Sequence, residues 1–179
     1  AYALENRESM MDAALNDLLH LFNKGESAQE WKRSVMYIGA GQIRRINCHH
    51  NFAQRERHLD KDVWITRKGA IQAEAGMLGV IPGSMATGSY IVRGLGNADS
   101  YNSCSHGAGR RMSRGQARRE LTQESLVKAM EGKAWNQNAA ALLDEHPSAY
   151  KDITDVMAAQ ADLVEVVRTL RQIVNYKGV

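Results

Sequence analysis

The sequence predicts an α+β protein, with short strands in a β-rich centre flanked by helices. Three observations carry this reading. Apolar residues recur at helical spacing near the N-terminus. Residues 46–96 hold short β-prone runs cut by glycines, and helical patterning returns after residue 113.

Taken in order, Leu4, Met11, Leu15, Leu18 and Phe22 lie three, four or seven residues apart, which places them on one helix face. The segment 23–26, with Gly25, is the expected stop. A second helix is expected around 28–38. In the centre, VWIT (63–66), LGVI (78–81) and YIVRG (90–94) read as strands. Glycines at 69, 76, 79, 83, 88, 94 and 96 mark the turns between them. Ser113 followed by Gln116 has the form of a capping box, and the helix is expected to continue through ARRELTQESLVKAM. A loop around 131–136 and His146-Pro147 break it. Asp152 opens a short helix over 152–162. In LVEVVRTLRQIVNY (163–176) the β-branched residues favour a strand, while Leu, Arg and Glu permit a helix; a strand is the preferred reading. There is no internal repeat and no low-complexity linker.

A chain of 179 residues makes one ordinary domain or part of a larger one. Its 44% apolar and 24% charged content is that of a globular protein. A formal net charge of +3 excludes a polyanion binder built on total charge, so local patches matter more. No apolar run approaches the ~18–20 residues of a membrane span. The charged, amphipathic N-terminus is not a signal peptide, and the missing initiator Met makes Ala1 read as a processing or fragment boundary. Two cysteines, Cys48 and Cys104, make no disulfide framework. A cytoplasmic protein with reduced thiols is expected.

Three segments carry chemistry. In CHHN (48–51), near the end of a strand expected at Ile46, adjacent histidines cannot both point the same way. At most one faces a given site, either as a metal ligand or in a hydrogen-bonded pair at a strand end. In IPGSMATGSY (81–90), Pro82-Gly83 is followed by hydroxyls at Ser84, Thr87 and Ser89. Such a loop either binds phosphate or a base edge, or is a structural turn; no Gly-Lys-Ser/Thr follows, so it is not a P-loop.

The third segment is SCSHGAGRRMSR (103–114). A neutral imidazole can attack phosphorus and carry a phosphoryl or nucleotidyl group. Gly107 and Gly109 would let a nucleotide lie beside His106, and Arg110, Arg111 and Arg114 would neutralise phosphate with planar forks. Residues 103–119 hold five arginines and no acid. With Ser113 as N-cap, Arg114 and Arg118 oppose the helix dipole, which a bound anion would relieve. The alternative is a solvated basic face.

Together, NCHHNFAQRE, TRKGA, IPGSM, SCSHGAGRRMSR, AYKDI and NYKG resemble, in this order, the motifs of RtcB-type RNA-splicing ligases, most closely those of the bacterial branch. The resemblance covers residues from about 45 to 178 and, more loosely, the N-terminal helix. It implies an RNA ligase of tRNA splicing or RNA repair that uses GTP and Mn²⁺. Such enzymes join RNA 3′-phosphate or 2′,3′-cyclic phosphate ends to 5′-hydroxyl ends through a guanylylated histidine. That histidine is His106 here. The resemblance further implies that His50 is a metal ligand and that Asn51 contacts the nucleotide phosphates. It makes Ser84 and Ser89 guanylate contacts, and Ala108 and Gly109 neighbours of the nucleophile. Tyr150 would stack on guanine (or pack in the core), and Lys177 would read the base (or lie in a solvated tail). Arg110 and Arg114 would face RNA phosphates.

Ala86 departs from the glycine usual after PGSM. The family's Asp-Gly-Cys-Gly, Gly-Gly-Asn-His and His-Ser-Gly-Ser-Arg elements, which supply most metal ligands, are absent. The expectation is that residues 1–179 form the C-terminal half of a single ligase domain, with its N-terminal half as a same-chain or separate partner. The rival expectation is a non-catalytic RNA- or nucleotide-binding module.

Overall fold

The computed structural model describes residues 2–22 and 46–177. The expected turn at 23–26 and helix at 28–38 lie outside these residues. The chain divides into two compact units, Ala1–Asn47 and Cys48–Val179. In the first, helix α1 (Tyr2–Phe22) follows the apolar periodicity, and the Asn47 side chain accepts from Arg7 Nε at 2.7 Å and donates to Glu8. Leu18 on the expected apolar face is half exposed.

The second unit is built of small sheets. Strands β1 (Asn51–His58) and β2 (Lys61–Lys68) form an antiparallel hairpin with Asn51 opposite Lys68 and His58 opposite Lys61. Leu59 and Asp60 close it at φ of 48° and 62°, the left-handed pair of a tight hairpin turn. The strand thus begins after His50, whereas the sequence suggested one ending there. The reason is chemical: the inward face of β1 is Phe52, Gln54, Glu56 and His58, so burial alternates while hydropathy does not. Arg67 of β2 is buried beneath this hairpin. Its guanidinium forks onto Glu56 and reaches Ser103 Oγ at 3.0 Å and the Tyr101 carbonyl at 2.9 Å. With Arg67 as hydrogen-bond partner, the Glu56 carboxyl is held down at about 2.

Strand β3 (Ala70–Gln72) pairs with β6 (Ser103–Ser105), Ile71 opposite Cys104. Strands β4 (Leu78–Pro82), β5 (Ser89–Gly94) and β8 (Val164–Leu170) form a three-stranded antiparallel sheet; the β-prone runs 78–81 and 90–94 supply two of its strands, the segment preferred as a strand after residue 162 supplies the third, and the run 63–66 lies in β2. Short β7 (Ala134–Trp135) and β9 (Val174–Asn175) pair in parallel. One core holds Ile71, Ile81, Val92, Cys104, Ala108 and Met157; a second holds Met85, Leu126, Met130 and Leu142. The 82–88 loop runs from the first core, at Ile81, into the second, at Met85. Gly83 is required there, because a Cβ would lie 2.2 Å from Thr87 Oγ1.

Ser113 caps α2 (Arg114–Glu120) by accepting from Gln116 N, as expected. The helix does not continue through the next segment. Leu121 and Thr122 are extended, and Thr122 caps a separate helix α3 (Gln123–Ala129) by accepting from Ser125 N. A hydroxyl that bonds the local backbone outcompetes helix propagation here. Helix α4 (Ala139–Leu142) leads into two 3₁₀ turns over 143–149, and Asp152 caps α5 (Ile153–Ala158).

Candidate functional site

His106 follows β6 directly and is partly exposed. Its Nδ1 lies 2.7 Å from the Gly69 carbonyl. A carbonyl only accepts, so Nδ1 carries a proton, and in the neutral ring the lone pair is therefore on Nε2. Among the described residues Nε2 has no hydrogen-bond partner. The Gly69 N–H donates to the His50 carbonyl at 3.1 Å, so one residue ties both segments together. The His50 ring stacks on His106, with centroids 5.2 Å apart and planes 11° apart. His49 turns elsewhere and stacks on Phe52, as expected for adjacent histidines.

His106 stands in a cleft of about 580 Å³, within the usual range for a small-ligand site. Ser84, Ser89, Ala108, Gly109, Arg110, Tyr150 and Lys177 also line it, so with His106 eight of the eleven site residues singled out from the sequence meet around one space. His50 reaches it through His106. Asn51 is not among the lining residues, and heads β1 instead. Arg114 lines an adjoining cleft of about 590 Å³ with Arg118 and Asp144; Glu145 and Lys177 border both clefts.

The backbone around His106 is tightly specified. The Ala108 N–H donates to the Pro82 carbonyl at 3.1 Å. A Cβ on Gly107 would sit 3.1 Å from that same oxygen, so Gly107 serves packing against the 82–88 loop rather than space for a ligand. Gly109 does meet the expectation of open space: it adopts φ of 72°, and no atom of the described residues lies within 4 Å of where its Cβ would be. The Ser84 hydroxyl is 3.1 Å from Thr87 Oγ1, and its amide donates to that oxygen at 2.6 Å. Residues 109–111 run beside 149–151, with Lys151 N donating to Gly109 O and Arg111 N to Ala149 O. This pairing brings Tyr150 to the cleft.

Glu145, which sequence reasoning missed, organises the far wall. Its Oε2 accepts from the Tyr150 hydroxyl at 2.6 Å and from Lys177 Nζ at 3.1 Å. Its Oε1 takes Arg110 at 3.0 Å and Arg114 at 3.2 Å. Burial pushes the Glu145 carboxyl up, but these donors outweigh it and leave the group below its ordinary value. Burial and the carboxylate together push the Tyr150 phenol up to about 12. The Arg110 guanidinium lies 4.8 Å from the Tyr150 ring centroid, over its face.

The buried Asp144 binds Arg114 at 2.7 Å and Arg118 at 3.1 Å. The arginine-rich stretch therefore has acids after all, delivered from thirty residues downstream rather than from within the segment. The dipole argument also changes. Helix α2 has seven residues, so Arg118 sits in its last turn, where a cation is favourable. A faint signal was available in the acidic pair Asp144-Glu145 ahead of His146-Pro147.

For metal, no three His, Cys, Asp or Glu side chains gather among the described residues. His50 by itself does not fit a manganese centre, which needs several donors.

Fold and site thus define an α+β protein with a lone-pair-bearing histidine at the mouth of a polar, arginine-bordered cleft. The family model described as tRNA-splicing ligase RtcB matches residues 1–178, and the chain belongs to that family. It is 45% identical over 177 residues to the RNA-splicing ligase RtcB of Escherichia coli K12, covering 99% of this chain and 41% of that protein. It is 35% identical to the tRNA-splicing ligase RtcB of Methanopyrus kandleri, over 72% of this chain and 16% of that protein. With the RNA-splicing ligase RtcB of Mycobacterium tuberculosis the identity is 32%, over 72% of this chain and 35% of that protein. The chain spans about two-fifths of the length of the Escherichia coli relative. No helix among the described residues is long and apolar enough to cross a membrane.

Proposed function

We propose that this chain supplies the nucleotidyl-accepting histidine and guanylate pocket of a GTP-dependent RNA ligase, as the C-terminal part of the ligase domain. The observation that carries this reading is the Gly69 carbonyl, which holds the His106 proton on Nδ1 and leaves Nε2 as the attacking atom beside the cleft. In the first step Nε2 attacks the α-phosphorus of GTP. A P–N bond forms, the bond to the bridging oxygen breaks, and pyrophosphate leaves. An oxygen of the RNA 3′-phosphate then displaces the imidazole and takes GMP. The RNA 5′-hydroxyl attacks the activated phosphorus, loses its proton, and expels GMP.

The residues of this chain position and neutralise. Gly69 orients the imidazole, and Ser84, Ser89 and Gly109 border the nucleotide. Tyr150 and Lys177 meet the base, and Arg110 and Arg114 face the phosphates. Asn51, at the head of β1, would reach the nucleotide phosphates only from outside the cleft lining. Mn²⁺ would take donors beyond His50, from the N-terminal part of the ligase. The substrates are RNA ends from tRNA splicing or RNA repair, and the place of action is the cytoplasm.

The test is labelling with [α-³²P]GTP and Mn²⁺, with and without the N-terminal part of the ligase supplied as a second polypeptide. Acid-labile label on the wild type and none on His106→Ala, with both folded, is the expected result. Absence of label on the wild type with the second polypeptide present overturns the proposal. RNA binding that persists in His106→Ala without any labelling would mark a binding module instead.

A further inference from the structure

The β1–β2 hairpin leaves one face to solvent, and that face starts beside the stacked histidines. Alternating burial puts Phe52, Glu56 and Arg67 on the inner side, whereas Arg55, Arg57, Trp64 and Lys68 are exposed on the outer one. The first rung, Asn51 opposite Lys68, directly follows His50 and directly precedes Gly69, whose carbonyl holds His106. Trp64 lies further out, opposite Arg55. At the ordinary rise of a strand it is about 13 Å from the first rung. Trp64 is 73% exposed. Among the described residues it has no ring or cation partner; Arg55, directly across, turns to Asp62 at 2.9 Å instead. Arg57 lies 3.8 Å from the same carboxylate, and both arginines keep side-chain exposures of 66%. Lys68 has no ion pair among the described residues. Asp60 and Lys61 at the turn cancel, so three outward cations face one outward acid.

We infer that this outer face is a docking strip for single-stranded RNA, with a base stacked on Trp64 and backbone phosphates on Lys68, Arg55 and Arg57. The inference rests on the RNA-ligase reading above. Charge chooses the occupant. An apolar protein surface would cover the Trp64 ring but would take three cations out of water with one acid between them, which is unfavourable. A nucleic acid strand suits both features, since every base offers a stacking face and every nucleotide a phosphate. The strand must be single, because the bases of a duplex already stack on one another. Nucleotides flanking the end held at His106 would meet Lys68 first and Trp64 next.

The test is titration with a 3′-phosphorylated oligouridine of about 12 nucleotides, read by anisotropy and by tryptophan fluorescence. It is run on this chain and on the chain with the N-terminal part of the ligase present, beside labelling of each sample with [α-³²P]GTP. Trp64→Ala is expected to weaken RNA binding roughly 5- to 100-fold, and Trp64→Phe, which keeps a stacking face, by less than about threefold. RNA should also quench the part of the fluorescence that Trp64→Phe removes. Circular dichroism confirms that each variant is folded. RNA binding that is absent from the wild type, or unmoved in Trp64→Ala, overturns this inference; label on wild-type His106 in either case leaves the nucleotidyl-transfer reading standing. Trp64 fluorescence that the N-terminal part alone shields from iodide, and that RNA then leaves unchanged, also overturns it and makes the face a protein contact. Wild type that neither binds RNA nor takes label overturns both.

Discussion

The imidazoles of His50 and His106 lie face to face, 5.2 Å between centroids and 11° from parallel. Fifty-five residues of chain separate them, and the backbone of Gly69 joins them, its carbonyl accepting from one ring and its N–H donating to the other residue's carbonyl. His50 thereby limits the plane in which the His106 ring can turn. His50→Ala is expected to lower His106 guanylylation by roughly tenfold or more, the scale of losing an orienting neighbour at a reactive group. The thermal unfolding midpoint should hardly move, since His50 is exposed. Labelling kinetics beside a melting curve check this.

Arg67 is 2% exposed and holds Glu56, Ser103 and the Tyr101 carbonyl at once. Arg67→Met removes the cation and leaves a buried carboxylate without its main partner. The expected loss is about 3 kcal/mol of stability, read as a lower urea midpoint with an unchanged slope.

The same pair sets an acid limit. Glu56 is held near 2 in the fold against an ordinary 4.5, chiefly by Arg67. A depressed carboxylate contributes its full stabilisation above the ordinary value and loses it as pH falls through the folded one. Stability should therefore decline from about pH 4.5 toward pH 2. In Glu56→Gln that part of the decline should flatten, as measured by urea midpoints across this window.

Glu145 satisfies four donors with two oxygens, and its loss frees Tyr150 and Lys177 together. Glu145→Ala is expected to destabilise by about 2 kcal/mol or more. Nucleotide affinity should fall further than in Tyr150→Phe, which removes one of the four partners of Glu145 and keeps the ring. Chemical denaturation and GMP titration of the two variants decide it.

Arg114 and Arg118 keep side-chain exposures of 67% and 61% despite their bonds to Asp144, so both remain open to a phosphate. In the double variant Arg114→Ala/Arg118→Ala, RNA affinity should fall, and the slope of log affinity against log salt should drop by roughly 1.5–2. Single-stranded RNA binding at several ionic strengths measures both.

Much of this site was legible in the sequence because its parts are short, local devices. The SCSHGAGR run announces an unencumbered imidazole, and Ser113 and Asp152 announce their helices by capping chemistry alone. The β1–β2 hairpin was less legible: its buried face carries Gln54, Glu56 and His58, and its turn, Leu59-Asp60, lacks the usual Asn-Gly or Asp-Gly signature. The split between α2 and α3 was hidden because Thr122 sits inside a run of otherwise good helix formers.

By itself the sequence determined the α+β class, the β-prone runs found in β2, β4 and β5, and His106 with its small-residue surroundings. Those depend on period, glycine and capping, which act within a few residues. Tertiary structure alone decided that Gly69 selects the imidazole tautomer, and that Asp144 and Glu145 neutralise an arginine stretch with no acid of its own. Each of these pairs groups far apart in the chain. Charge balance and hydrogen-bond satisfaction are settled by what lies within a few ångströms in space, and sequence spacing does not record that.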